Sequence, residues 1–288
     1  GSDRGSIECI TISENWIMLA TKDWIYLDLE KTGCTFLRQV LIEIYGANEF
    51  TCSEQHKPQT FKSSLPKILT IRQPTEYYFS LWSYGLDKQG GFYKKISTHY
   101  PDYGKKMFKD RSNESFSWFL DFALNTSTRY SNPLSTGWLP RSCDLYTARI
   151  LSQLIPINCR STFIDSLNAC NSWQDSIADS LGDYMPEVVL RTKSLNKDFH
   201  TLANAGKLAF MDLPENWKNL FPIDAPAVNQ STLSSKNSNN DKIIKSYYSK
   251  YWLSVLTQKS AVFEAIQNQT LDLLSNKNNH FFRNFIKR

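Results

Sequence analysis

Residues 24–41 read WIYLDLEKTGCTFLRQVL, and this segment decides the predicted fold. It begins as an apolar strand, turns at Lys31-Thr32-Gly33, and continues with helical spacing. The apolar side chains in its second half and just beyond it fall at i, i+1, i+4, i+5 and i+8, which is one buried stripe of a helix: Phe36, Leu37, Val40, Leu41 and Ile44. Strands that alternate with helices in this way predict an α/β protein with a parallel sheet.

The turn between this strand and its helix predicts an anion site. The first N–H groups of a helix have no intrahelical partner, so they point at whatever lies at the helix start. Lys31 adds a positive charge there, and Thr32 and Thr35 add hydroxyl donors. A nucleotide-triphosphate loop needs glycines before its lysine, but the chain has none between Trp24 and Lys31. The predicted anion is therefore not the triphosphate of ATP.

A second strand, turn and helix follow at residues 67–82. The segment KILTIRQP at 67–74 is an apolar strand that ends in Arg-x-Pro. Pro74 suits the first turn of a helix because its missing N–H would have had no partner there. Arg72 is therefore predicted at the carboxyl end of the strand, beside a helix start, and Ser80 follows eight residues later.

The two turns together resemble those of PAPS-dependent sulfotransferases, particularly the carbohydrate sulfotransferases. In that family the first turn reads Pro-Lys-Thr-Gly-Gly-Thr or similar, and the second reads Arg-Asp-Pro and is followed by a serine. This chain departs from the pattern at Glu30, Cys34 and Gln73, which stand where the family has proline, glycine and aspartate.

The resemblance spans about residues 25–263 and implies a fold. It implies one sulfotransferase domain over residues 1–288, with a three-layer α/β/α arrangement around a central parallel sheet, as in P-loop NTPases. Residues 1–23 would be a leading segment containing a strand or hairpin. Residues 229–241 would be a loop over the nucleotide, and residues 242–288 the C-terminal helices.

The resemblance also implies a donor site for PAPS, with PAP as the product and no metal requirement. The residues that it assigns to the nucleotide are Lys31, Thr32, Gly33, Cys34, Thr35, Phe36, Arg72, Ser80, Asn229 and Ser231. Arg72 and Ser80 would bind the 3′-phosphate. Cys34 has a second interpretation as a nucleophile, but a small side chain in place of the family's glycine explains it more simply.

Catalysis in this family needs a base that takes the proton from the acceptor hydroxyl. Residues 56–61, HKPQTF, loosely match the family segment that supplies a histidine, and a loop histidine is largely neutral at physiological pH. His56 is thus one candidate base, Glu54 is the other, and a solvated loop histidine is the alternative for His56. Lys31 would stabilise the charge that develops on the leaving oxygen.

The acceptor is predicted to be a glycan, ahead of protein tyrosine, lipid or small-molecule hydroxyls. Residues 92–111 interleave tyrosine and lysine, a composition that stacks on sugar rings and pairs with acidic substituents, although a solvated insertion is equally compatible. Two other functions remain open: a PAP- or PAPS-binding protein without catalysis, and a kinase-like ATP enzyme.

Composition and residue spacing narrow the possible ligands and the compartment of the protein. The net charge is +5, from 33 basic and 28 acidic residues, which suits an anionic ligand. No Lys/Arg-rich run, zinc-finger spacing or RNP-like motif indicates nucleic acid, and the six cysteines show no metal-binding spacing. No apolar run approaches the roughly 18–20 residues of a membrane span. The Lys/Asn/Ser-rich composition favours a bacterial cytoplasmic enzyme, with the Golgi lumen as the alternative.

Three further elements are predicted downstream. Residues 161–165 and 187–191 are predicted strands, and Leu195 begins a helix. The second strand and its helix resemble the family's strand followed by Glu-x-Leu-x-x-Asp-Phe, with Lys193 in place of the glutamate.

Overall fold

The computed structural model describes residues 16–54, 65–125, 138–139, 143–168, 177, 179–225 and 240–275. Its strands are β1 (Trp16–Ala20), β2 (Ile25–Leu27), β3 (Thr51–Glu54), β4 (Lys67–Ile71) and β5 (Val188–Arg191). Its helices in the first half of the chain are α1 (Cys34–Tyr45), α2 (Pro74–Leu86), α3 (Gly90–His99), α4 (Pro101–Met107) and α5 (Asn113–Leu124). The later helices are α6 (Leu145–Leu154), α7 (Arg160–Asn168), α8 (Leu195–Asn204), α9 (Trp217–Leu220), α10 (Asn240–Ser246), α11 (Lys250–Lys259) and α12 (Ala261–Leu274).

The strands form one mixed sheet in the order β3-β1-β2-β4-β5. β2, β4 and β5 run parallel, whereas β1 is antiparallel to both β2 and β3. The predicted α/β class is confirmed, and the leading segment does contribute a strand, β1. The prediction of a purely parallel sheet is wrong, because the chain reverses between β1 and β2. In the short turn that joins them, the Thr21 hydroxyl accepts from the Trp24 N–H at 3.0 Å.

Both faces of the parallel strands are buried. The register places Tyr26, Ile68 and Val188 side by side on one face, where they pack in an apolar cluster with α1 and α8. Leu27, Leu69 and Val189 lie side by side on the other face, in a second cluster with α2, α5, α6 and α12. Successive strand residues point to opposite faces of the sheet, so a strand with apolar residues at every position is typical of a sheet that is buried on both faces.

The strand predicted at residues 161–165 is wrong, because this stretch lies within α7. Phe163 and Leu167, four residues apart, are both buried, and that spacing places them on one face of a helix. A short apolar run does not distinguish the two structures by itself. β3 lies between α1 and β4, and most of the Lys- and Tyr-rich segment at residues 92–111 lies in α3 and α4.

None of the helices in the described ranges is both long enough and apolar enough to cross a membrane.

Candidate functional site

The turns that carry the predicted site residues meet at one edge of the sheet. β2, β4 and β5 are parallel and adjacent, so the residues that follow them, including Lys31, Arg72 and Lys193, leave from the same edge. Ligands of open α/β sheets commonly bind at this carboxyl edge.

Hydrogen bonds from threonine side chains connect the turn after β2 to the sheet. The Thr32 hydroxyl donates to the Leu29 carbonyl at 2.6 Å and lies 2.7 Å from the Thr70 hydroxyl of β4. The Thr192 hydroxyl, in the turn after β5, lies 2.8 Å from the Thr32 carbonyl and 2.9 Å from the Ile71 carbonyl. Thr32 is fully buried, so its hydroxyl supports the turn and does not face the solvent side of the site.

The backbone of this turn is left-handed at two positions. Lys31 has φ 68° and Gly33 has φ 86°, a region that L side chains adopt at a cost. A Cβ on Gly33 would lie 3.2 Å from Leu195 Cδ1. Glycine is required there by both the dihedral angle and the space against α8. Strained backbone of this kind is often concentrated at functional sites.

The start of α1 has no side-chain cap among the described residues, and its first turn contains no acidic side chain. The Gly33 carbonyl accepts from the Leu37 N–H at 3.1 Å, so the helix begins regularly. The N–H groups of Cys34, Thr35 and Phe36 have no acceptor within the helix, because they belong to its first turn. This arrangement favours an anion at the helix start.

Lys31 is half-buried beside that helix start. Its Nζ lies 3.7 Å from the centroid of the Tyr84 ring of α2. Burial lowers the pKa of the Lys31 amine, the nearby Glu30 opposes this, and Arg72 adds to the lowering. The cation is thus held against an aromatic face at the mouth of the turn.

Cys34 does not have the environment of a nucleophile. Its thiol hydrogen-bonds to the buried Asp28 carboxylate, which also lies 3.4 Å from Nη1 of Arg38. Burial, and then the Asp28 charge, raise the pKa of the thiol well above its usual value. A reactive cysteine needs a stabilised thiolate, so the small-residue interpretation is favoured.

Arg72 links the two predicted turns. Its Nη1 donates to the Lys31 carbonyl at 3.3 Å, and its Nε lies 3.5 Å from the Glu76 carboxylate one helical turn into α2. The Tyr146 hydroxyl of α6 is 2.9 Å from both the N–H and the carbonyl of Arg72. Burial lowers the pKa of the guanidinium, and Glu76 opposes this effect. The side chain is therefore positioned between both helix starts.

Ser80 lies buried in α2, four residues after Glu76 and four before Tyr84. Residues four apart share one face of a helix, so Ser80 lies on the face that carries the contacts to Arg72 and Lys31. Gln73, which stands where the family has aspartate, is exposed, and its amide donates to Gln267 of α12 at 3.1 Å.

Residues in and just after the turn that follows β5 contact residues near the two ends of the predicted nucleotide loop. Lys193 is exposed and lies 3.0 Å from the Asp241 carboxylate of α10, and Asn196 donates to the Ala225 carbonyl at 2.9 Å. Asn229 and Ser231 themselves lie outside the described residues.

The Arg191 guanidinium donates twice to the buried Asp198, at 2.8 and 2.7 Å, which orients α8 on the sheet.

Of the two candidate bases, Glu54 and His56, the structure describes the backbone of Glu54. Glu54 is the last residue of β3, which runs in the same direction as β2. In β1, Met18 pairs with Leu27, the last residue of β2, and Trp16 pairs with Glu54. The backbone of Glu54 thus reaches the carboxyl edge of the sheet, two strands from β2 and so about 10 Å from that strand. His56 lies outside the described residues.

One feature of the site was not anticipated from the sequence. Arg149 of α6 contacts Glu30 at 2.9 Å and donates to the Tyr77 hydroxyl at 2.8 Å. Tyr77 stacks on Tyr146, with ring centroids 3.8 Å apart. No local motif marks Arg149, because its partners are brought to it only by the packing of α6 against α2.

In the described ranges, no group of three or more His, Cys, Asp or Glu side chains is placed to hold a metal ion. Comparisons of the chain with protein families, with curated proteins and with solved structures found no match.

Proposed function

We propose that this protein is a sulfotransferase that moves a sulfuryl group from PAPS to a hydroxyl group of an acceptor, most readily a carbohydrate. The proposal includes the finer fold assignment, a P-loop-like sulfotransferase domain with helices on both sides of the sheet. The observation that carries it is the contact between the two turns: Arg72 donates to the Lys31 carbonyl at 3.3 Å, at the carboxyl edge of adjacent parallel strands.

The residues at this edge fit a nucleotide with two separated phosphate groups. The uncapped start of α1 and the Lys31 amine supply N–H donors and positive charge for the 5′ side. Arg72, with Ser80 on the adjacent face of α2, would bind the 3′-phosphate. A guanidinium suits this role because its planar fork matches phosphate oxygens.

PAPS, when bound, supplies an activated sulfuryl group whose sulfur an oxygen nucleophile can attack in line, with PAP as the leaving group. In that displacement the bond from sulfur to the bridging phosphate oxygen breaks, and a bond from sulfur to the acceptor oxygen forms. Lys31 and the first N–H groups of α1 would stabilise the charge that grows on the departing oxygen. Glu54 or His56 would take the proton from the acceptor hydroxyl.

A PAP-binding protein without catalysis is the second candidate. The ion pair between Glu30 and Arg149 favours it, because Glu30 replaces the family's proline directly beside Lys31. A kinase-like enzyme has less support. No glycine precedes Lys31 in its turn. Asp165, the acid at the end of the predicted strand at 161–165 that such an enzyme would need for Mg²⁺, lies within α7.

The test is calorimetric binding of PAP, AMP and ATP with Mg²⁺ to the protein and to Arg72→Ala. We expect PAP to bind more tightly than AMP, and Arg72→Ala to remove most of this difference while leaving AMP binding nearly unchanged. Arg111→Ala is the matched control, since Arg111 is exposed and lies 3.9 Å from Asp87.

Preference for ATP with Mg²⁺, or no nucleotide binding, would overturn the proposal. Binding of PAP without transfer from labelled PAPS to any glycan, tyrosine or lipid acceptor would favour the non-catalytic candidate.

A further inference from the structure

The cluster around Glu30 continues beyond the predicted nucleotide residues onto α3. A Cβ built on Gly90, the first residue of α3, would lie 3.2 Å from Glu30 Oε1 and 2.7 Å from the Tyr84 ring. The start of α3 therefore packs directly against the turn that carries Lys31. This contact sets which α3 side chains face the site.

Lys95 is the cation that α3 brings to this place. Phe92, three residues earlier, is buried, and the Arg149 guanidinium lies 5.6 Å from the centroid of its ring. Residues three apart lie on the same side of a helix, so Lys95 follows Phe92 toward Arg149. Burial lowers the pKa of the Lys95 amine, the charge of Arg149 lowers it further, and Glu30 opposes both.

Positive charge exceeds negative charge in this cluster. Lys31, Lys95 and Arg149 are half-buried cations, and Glu30 is the carboxylate among them. Glu30 contacts Arg149 at 2.9 Å, and the Asp87 carboxylate, which also acts on Lys31, lies 3.9 Å from Arg111. Lys95 forms no ion pair with a residue in the described ranges.

Half-buried cations that approach one another are unfavourable unless an anion joins them. Nη1 of Arg149 donates to the Tyr77 hydroxyl and lies 2.9 Å from Glu30 Oε2, so a hydroxyl and one carboxylate contact this guanidinium among the described residues. A carboxylate or sulfate group can pair with a guanidinium and an amine at the same time, because it offers several acceptor oxygens. The cluster is thus suited to a second anion, beside the one expected at the start of α1.

We propose that Lys95 and Arg149 bind an anionic group of the acceptor, so that the acceptor is an acidic glycan carrying a carboxylate or a sulfate near its reacting hydroxyl. The inference rests on the proposed function for the identity of the neighbouring Lys31 site. It adds the acceptor's charge and the residues that select it.

The experiment uses matched pairs of saccharides that differ in charge. Calorimetry with a galacturonate pentamer and its methyl ester tests the carboxylate, and calorimetry with sulfated maltopentaose and maltopentaose tests the sulfate. We expect at least one anionic member to bind about tenfold more tightly than its neutral partner. Lys95→Gln should reduce this preference several-fold, and Lys95→Arg should restore it.

Lys94→Gln is the control, because Lys94 is the exposed neighbour on the same helix and its removal changes the net charge equally. Equal binding of charged and neutral saccharides by the unaltered protein would overturn the inference. So would an equal loss in Lys94→Gln and Lys95→Gln, which would indicate diffuse attraction to a basic surface.

PAP binding, measured on the same samples, separates this inference from the proposed function. A protein that binds PAP but does not distinguish the saccharide pairs is a sulfotransferase candidate without the acidic subsite. A protein that shows the Lys95-dependent preference but does not bind PAP has the anion site and a different activity.

Discussion

The hydroxyl oxygens of Thr32 and Thr70 lie 2.7 Å apart, and both residues are fully buried. This contact joins the turn that carries Lys31 to the middle of the parallel strands. The Tyr26 hydroxyl lies 3.3 Å from Thr70 and extends the network to β2. The position of Lys31 is therefore set from inside the sheet, where no solvent competes for the hydrogen bonds.

Thr32→Val should destabilise the protein by about 1–3 kcal/mol, because it keeps the side-chain shape but leaves buried polar groups without a partner. Urea unfolding followed by circular dichroism measures the change. Thr98→Val, at an exposed position of α3, should alter stability by no more than about 0.5 kcal/mol. In the double variant Thr32→Val/Thr70→Val, the loss should be smaller than the sum of the two single losses. Strict additivity would contradict an energetic coupling between the two hydroxyls.

Gly33→Ala should destabilise the protein more than Gly206→Ala does. Both glycines have positive φ, 86° and 69°, so each substitution carries the cost of a left-handed alanine, about 1–2 kcal/mol. Only at Gly33 would the new Cβ meet another side chain, Leu195 Cδ1 at 3.2 Å, whereas nothing lies within 4 Å at Gly206. Thermal unfolding of the two variants compares the costs. Equal decreases in the melting temperature would show that Leu195 of α8 moves away from the new Cβ without a measurable cost in stability.

Asp28 should make stability fall as the pH rises. Burial raises the pKa of this carboxyl from 3.8 to about 6, against the opposing charge of Arg38. The folded protein thus holds a proton that the unfolded chain releases, so the stabilising contribution is complete below pH 3.8 and is lost as the pH passes 6. The difference between 3.8 and about 6 corresponds to about 3 kcal/mol.

Asp28→Asn removes this titration. Urea unfolding between pH 4 and pH 8 should show its stability, relative to the unaltered protein, improving toward high pH. Asp23→Asn is the control, because Asp23 is exposed in the turn between β1 and β2. A stability difference between Asp28→Asn and the unaltered protein that stays constant with pH would show that the carboxyl titrates normally.

Lys31→Ala should lower turnover by about 10²–10³-fold while changing PAP affinity much less. The reason is that a preorganised donor at a developing negative charge acts mainly in the transition state. Release of PAP from PAPS during transfer to an acceptor measures turnover, and calorimetry measures affinity. Lys22→Ala, at an exposed residue of the turn between β1 and β2, should leave both unchanged. Parallel losses of turnover and affinity would make Lys31 a binding residue only.

The strand, turn and helix units were predictable because their signals are local. At β2 to α1, the apolar stripe from Phe36 to Ile44 and the glycine at position 33 specify the helix and its entry. Pro74 at the start of α2 likewise specifies where β4 ends. The stretch at 161–165 was predicted wrongly because five residues do not separate a strand period from a helix period, and the burial of Phe163 and Leu167 decided for a helix.

By itself, the sequence determined that successive βα units exist and that Lys31 and Arg72 follow two of their strands. Hydrophobic spacing and turn chemistry act over a few residues, so they can be recognised without the rest of the chain. The tertiary structure alone decided that Thr32 faces the interior, that β1 runs antiparallel to β2, and that Arg149 reaches Glu30. Those contacts join residues far apart in the chain, and they form only because both faces of the sheet must be covered by helices that bury their apolar sides.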